Sequence, residues 1–118
     1  MHPMKAFSDR PAGEMTLARI IRYAGVIGDF NPIHHDDAFA RNAGLPSVIA
    51  HGPLTFTMAL DVLVAEAGLD KLSGFSCRFK APVFPGNKVS VSCTEDGEVV
   101  AKADGKEVLT GKATPRES

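Results

Sequence analysis

Apolar and polar positions divide the chain into a helical first half and an alternating second half. From Thr16 onward, TLARIIRYAGVIG sets Leu17, Ile20, Ile21, Ala24 and Ile27 at the spacing of one helix face, which predicts an amphipathic helix capped by Thr16 and stopped at Gly28. DDAFARNAG then reads as a short helix opened by Asp36 or Asp37 and closed at Gly44. After His51-Gly52 comes PLTFTMALDVLVAEAG, apolar almost all round, with Pro53 in the first turn and Gly68 at the end. A helix without a wide polar face has to be enclosed on most sides, by its own sheet or by a partner.

From Phe75 the pattern changes to alternation. FSCRFKAPVF, KVSVSCT, VVAKA and EVLTGKAT read as four strands, with Asp96-Gly97 and Asp104-Gly105 as hairpin turns. The last three should form a meander. Met4 to Phe7 is expected to add one strand at most, kept short by Pro3 and Pro11. Helices followed by antiparallel strands predict an α+β fold, with the sheet wrapped around the apolar helix. No repeat or linker divides the 118 residues, so a single domain over 1–118 is expected.

Composition narrows the function classes. Hydrophobic residues make up 44% and charged residues 23%, as in a soluble folded chain. A net charge of −1 provides no field to gather nucleic acid or anionic lipid, so neither is expected as a partner. Cys77 and Cys93 lack any ligand spacing and read as free thiols. The N-terminal MHPMKAFSDRPAGEM has no apolar run of signal-peptide length, and no segment approaches the roughly 20 apolar residues that span a bilayer. A cytoplasmic location is the expectation.

Chemistry concentrates in GDFNPIHH, Gly28 to His35. The Asn31-Pro32 turn can fold the chain back and bring Asp29 and His34 to one cleft, where a carboxylate and an imidazole could divide acid and base duties. The alternative is structural: Asp29 caps, Asn31-Pro32 turns, and His34 is a satisfied polar residue. Adjacent His34, His35, Asp36 and Asp37, with His51 further on, raise the question of a metal. Consecutive side chains diverge and no usual ligand spacing is present, so no metal is expected, and Asp36 and Asp37 read as helix caps. His51-Gly52-Pro53 opens the apolar helix, whose N-terminal N–H groups can hold a developing oxyanion. The glycine reads equally as a tight cap.

GDFNPIHHDDAFARNAGLPSVIAHGPLT closely resembles the signature of MaoC-like hydratases and dehydratases, the (R)-specific enoyl-CoA hydratase branch of the hot dog fold. FKAPVFPGNKVSV is similar to the strand-turn-strand segment that follows the family's central helix, so the resemblance covers roughly residues 16 to 95. It implies a hydro-lyase acting on trans-2-enoyl thioesters of coenzyme A or an acyl carrier protein, with Asp29 and His34 as catalytic pair, Asn31 shaping their turn, and the Gly52 N–H receiving the thioester carbonyl. No metal or redox cofactor is implied.

A homodimer or higher oligomer is, a heteromer being the alternative. Pro53 departs from the family pattern because it has no N–H, which leaves Gly52 alone, or Leu54, as the backbone donor. The competing functions are a partner-dependent or non-catalytic subunit of a heteromeric dehydratase, and a hot dog thioesterase. Phe56, Met58, Leu60, Leu63 and Phe84 are candidates for an acyl pocket, with plain core as the alternative. Arg41, Arg78, Lys80 and Lys88 are candidates for coenzyme A phosphates or an acidic carrier, with solvated surface as theirs.

Overall fold

In a computed structural model that describes residues 3–116, the first helix begins where its cap predicts. Thr16 Oγ1 accepts from the Arg19 N–H at 3.1 Å, α1 runs Leu17–Ile27, and Gly28 ends it in the left-handed region at φ 71°. The inner face buries Ile20 and Ala24. The short helix α2 (Asp37–Asn42) has Asp36 as its cap, accepting from the Phe39 N–H at 3.1 Å. The apolar helix α3 (Gly52–Ala67) buries Leu54, Thr55, Met58, Ala59, Val62 and Leu63. Its enclosure is incomplete: Pro53, Thr57, Asp61 and Ala65, spaced four apart, form a narrow exposed stripe.

Five antiparallel strands wrap that helix: β1 (Phe7–Glu14), β2 (Leu72–Phe79), β3 (Lys88–Cys93), β4 (Glu98–Ala103) and β5 (Lys106–Pro115), in the spatial order β1-β3-β4-β5-β2. This α+β arrangement, one sheet packed on a central helix, is the hot dog architecture that the resemblance implies. The meander is present as predicted. Val89, Val91 and Cys93 on β3 and Val99, Ala101 and Ala103 on β4 alternate inward, the period-2 signature of a sheet with one face on the core. A register shift between Ala101 and Lys102 reorients β5, where the consecutive residues Val108 and Leu109 are both buried. Gly97 in the β3–β4 turn has φ 85°, and a Cβ there would lie 2.2 Å from the Ala113 carbonyl oxygen, so only glycine fits.

Two strand expectations need correction. The N-terminal strand is eight residues long and contains Pro11; it tolerates the proline because it lies at the sheet edge, with register shifts on either side of the Arg10 and Pro11 pairs with β3. The strand predicted as FSCRFKAPVF starts earlier, at Leu72, and stops at Phe79. Past it the chain leaves the ladder through Pro82 and Pro85, and the Val83 carbonyl instead accepts from the Ala50 N–H at 2.8 Å, which ties this segment to the approach to α3. Cys77 and Cys93 are free thiols, and burial pushes both above the usual thiol range. Among the described residues no helix is long and apolar enough to cross a membrane.

Candidate active site

Between Gly28 and His51 the chain makes little regular structure, and its polar side chains satisfy its backbone. Asp29 Oδ1 accepts from the Asn31 N–H at 3.2 Å, and Asn31 Oδ1 accepts from the Ile33 N–H at 3.2 Å, which folds residues 29–33 into a tight bend leading to a 3₁₀ turn, Pro32–His34. The His35 ring nitrogen Nε2 lies 3.0 Å from the Phe30 carbonyl oxygen, and Asp37 Oδ1 accepts from the Val48 N–H at 3.1 Å. Asn31, His35, Asp36 and Asp37 are thereby committed to the turn itself.

Two side chains of the bend, Asp29 and His34, face each other. His34 is 7% exposed, and its Nδ1 lies 2.7 Å from the Ile49 carbonyl oxygen. A carbonyl only accepts, so Nδ1 carries the proton and Nε2 presents a lone pair. That Nε2 lies 4.0 Å from Asp29 Oδ2. The separation exceeds a direct hydrogen bond, and with O–H···acceptor distances of about 2.8 Å it is roughly what one water spans when it donates to both.

A third residue joins them. His51 is 2% exposed and stacks on His34 with ring centroids 3.7 Å apart and 22° between planes. Its Nε2 lies 3.1 Å from the Asp29 carbonyl oxygen and 4.0 Å from Asp29 Oδ2, while its Nδ1 is buried without a hydrogen-bond partner. Sequence reasoning weighed His51 as a metal ligand and as the residue before Gly52, and gave it no part in the Asp29–His34 pair. The missed signal is a polar ring at the mouth of an apolar helix, a position whose side chain makes no capping bond here. Asp29, His34 and His51 offer three donor atoms within 4.8 Å of one another, enough to consider a metal. Rings stacked 3.7 Å apart at 22° keep their in-plane lone pairs in separate, nearly parallel planes, and His51 Nε2 is spent on a carbonyl, so the cluster suits proton transfer better than ligation.

At the start of α3 the N–H of Gly52 has no backbone partner among the described residues and Pro53 has none to offer. The N–H of Leu54 turns back to the His51 carbonyl at 3.1 Å, and its side chain lies in the core. Gly52 is thus the free donor of that turn. A Cβ on it would come within 3.1 Å of the Phe79 ring, which lines, with Thr55, Val83 and Val108, an apolar cavity of about 260 Å³ beside Gly52. A second cavity, about 350 Å³, lies between Ile21, Ala24, Phe30, His34 and His35. Of the acyl-pocket candidates, Met58 and Leu63 are buried core, and Phe56 and Leu60 pack half-buried against it; Phe84 is half-buried. Arg41, Arg78, Lys80 and Lys88 are exposed.

The family model of the MaoC like domain matches residues 2–116. The chain belongs to the MaoC-like family. Its MaoC-like sequence is 41% identical over 83 residues to 3-hydroxyacyl-thioester dehydratase Y of Mycobacterium tuberculosis, an alignment covering 65% of this chain and 29% of that protein. The chain thus spans under a third of the length of that relative. The MaoC-like fold superposes on the (R)-hydratase from A. caviae involved in PHA biosynthesis with a TM-score of 0.78 at 25% identity, covering 96% of this chain and 94% of that one. It also superposes on a chain of the ChsH1-ChsH2 complex from Mycobacterium tuberculosis, with a TM-score of 0.80 at 16% identity and 98% of each chain covered, a likeness of fold alone.

Proposed function

We propose that this chain reversibly hydrates trans-2-enoyl thioesters, of coenzyme A or an acyl carrier protein, to (R)-3-hydroxyacyl thioesters. The observation that carries the reading is the 4.0 Å gap between Asp29 Oδ2 and His34 Nε2, with His34 Nδ1 committed to the Ile49 carbonyl. A water donating one hydrogen bond to each acceptor has its oxygen lone pair directed away from both, toward C3 of a substrate whose carbonyl oxygen rests on the Gly52 N–H. As the C3–O bond forms, the water's proton passes to the pair and the C2–C3 π electrons move toward the carbonyl, where charge builds on the oxygen held by Gly52. C2 then takes the proton back from the same face. Reversal expels water. Asn31 acts by shaping the bend, and Leu54 supports the turn from the core.

Crotonyl-CoA hydration by the purified chain, with Asp29→Asn and His34→Ala beside it, tests this. Near-normal hydration by both variants would overturn it, and release of free coenzyme A from acyl-CoA would point to a thioesterase. A partner-dependent subunit is the second reading. It is favoured by the apolar surface that Leu17, Ile21, Ile27 and Phe30 expose. A chain that is inert alone and active only with a second polypeptide, its complex weighed by size-exclusion mass measurement, would favour it.

A further inference from the structure

Among the described residues, His51 is the most buried of three buried polar side chains, 2% exposed against 3% for Thr55 and 7% for His34. It occupies the cap position of α3 without capping, and one of its ring nitrogens has no partner. A position that only needed filling is better served by an apolar side chain, because a buried unpaired polar atom costs stability. The contacts it does make are selective. Its Nε2 lies 3.1 Å from a main-chain carbonyl, so Nε2 carries the proton and donates it, and that carbonyl belongs to Asp29. Its ring face lies against a ring 3.7 Å away, and that ring is His34. The edge of Tyr23, at 5.3 Å and 63°, closes the remaining side.

We infer that His51 is the positioning residue of the Asp29–His34 pair, an inference that rests on the function proposed above. Each contact grips a dyad member through a group its chemistry leaves unused: the carbonyl of Asp29 and the π-face of His34. Residues 29–31 lie in no regular element and Asp29 is exposed, and the Asn31 N–H that holds Oδ1 belongs to the same bend, so His51 is the contact that ties this bend to the start of α3. His51 also adjoins Gly52 in the chain, so one ring sets the distance from the dyad to the donor N–H. Reacting groups held within a fraction of an ångström of their productive geometry avoid the entropic cost of finding it, and a displacement of about 1 Å can cost on the order of 100-fold in rate.

The test compares His51→Leu and His51→Gln with wild type for kcat, KM and Tm in crotonyl-CoA hydration, with Asp29→Asn as control. His51→Leu is expected to lower kcat by about 10- to 100-fold with KM little changed and Tm equal or higher, since it removes a buried unpaired nitrogen. His51→Gln, whose amide can still donate toward the Asp29 carbonyl, is expected to recover part of that loss. Histidine ring-proton shifts measured by NMR should show the His34 stack lost in His51→Leu, independently of turnover. The inference is overturned if His51→Leu keeps wild-type kcat, if the His34 shifts do not move, or if kcat and Tm fall together and equally in both variants, as a purely structural histidine requires. If Asp29→Asn itself turns over normally, the reading of the dyad has failed, and that result is distinct from an intact dyad indifferent to residue 51.

Discussion

The bend from Gly28 to His51 and the meander of β3, β4 and β5 satisfy their backbones in opposite ways. In the meander the strands pair with one another, broken by one register shift between Ala101 and Lys102, and the side chains of β3 and β4 are left free to alternate between core and the other face. In the bend, Asp29, Asn31, Asp36 and Asp37 accept main-chain N–H groups while His34, His35 and His51 reach main-chain carbonyls. Most of the conspicuous chemistry in that stretch is scaffolding. It leaves Asp29 Oδ2 and His34 Nε2 4.0 Å apart and not bonded to each other, so a crowded polar motif is informative through the atoms it leaves unpaired.

The sharpest way to break this contrast is to remove one of those free atoms. Asp29→Asn or His34→Ala should lower turnover by ~10²–10⁴ with the fold intact, whereas Lys106→Ala, exposed at the start of β5, should leave crotonyl-CoA hydration unchanged. The meander should respond the other way. Leu109→Ala, at a fully buried position, should cost ~2–5 kcal/mol in denaturant unfolding while the folded fraction keeps its turnover. Asp36→Ala removes the cap of α2 and should cost ~1 kcal/mol by the same measurement.

The smallest effect belongs to neither region. Glu66 on α3 is hydrogen-bonded by Arg10 of β1, with Lys5 3.5 Å away, and chiefly that Arg10 bond holds its carboxyl below the ordinary value of 4.5. A carboxyl whose folded pKa is depressed stabilises above its unfolded pKa and loses that contribution as pH falls through the folded value. Glu66→Gln should therefore be slightly less stable than wild type at neutral pH, and indistinguishable from it in acid once the carboxyl is protonated.

What the sequence makes legible follows the range of the forces involved. Thr16, Gly28, Asp36 and Gly68 act within a turn of themselves, and the helices start and stop as they dictate. The meander is legible for the same reason, since Asp104-Gly105 closes a hairpin locally, with φ 49° and 85°. Pro11 misleads because its tolerance depends on lying at a sheet edge, which only the assembled sheet decides. Spacing leaves Asp29 and His34 open between catalysis and scaffolding, and their resemblance to a family motif ranks them. His51 stands in the same motif, but its contact with the pair is not legible there, because its burial and stacking arise only when the start of α3 comes under the bend. Met58 and Leu63 fit an acyl pocket by composition, yet the sheet closes over them.

The contact between Gly52 and Phe79 links two positions far apart in the chain. An added methyl at 52 would press on the outer atoms of a ring, at 3.1 Å, and not on backbone, and Phe79 is half exposed, with solvent into which it can swing. Loss of the glycine is therefore repairable at a single other site. A smaller side chain at 79 would readmit a larger one at 52, so the two positions should drift through sequence space as a pair, each setting which residues the other can accept.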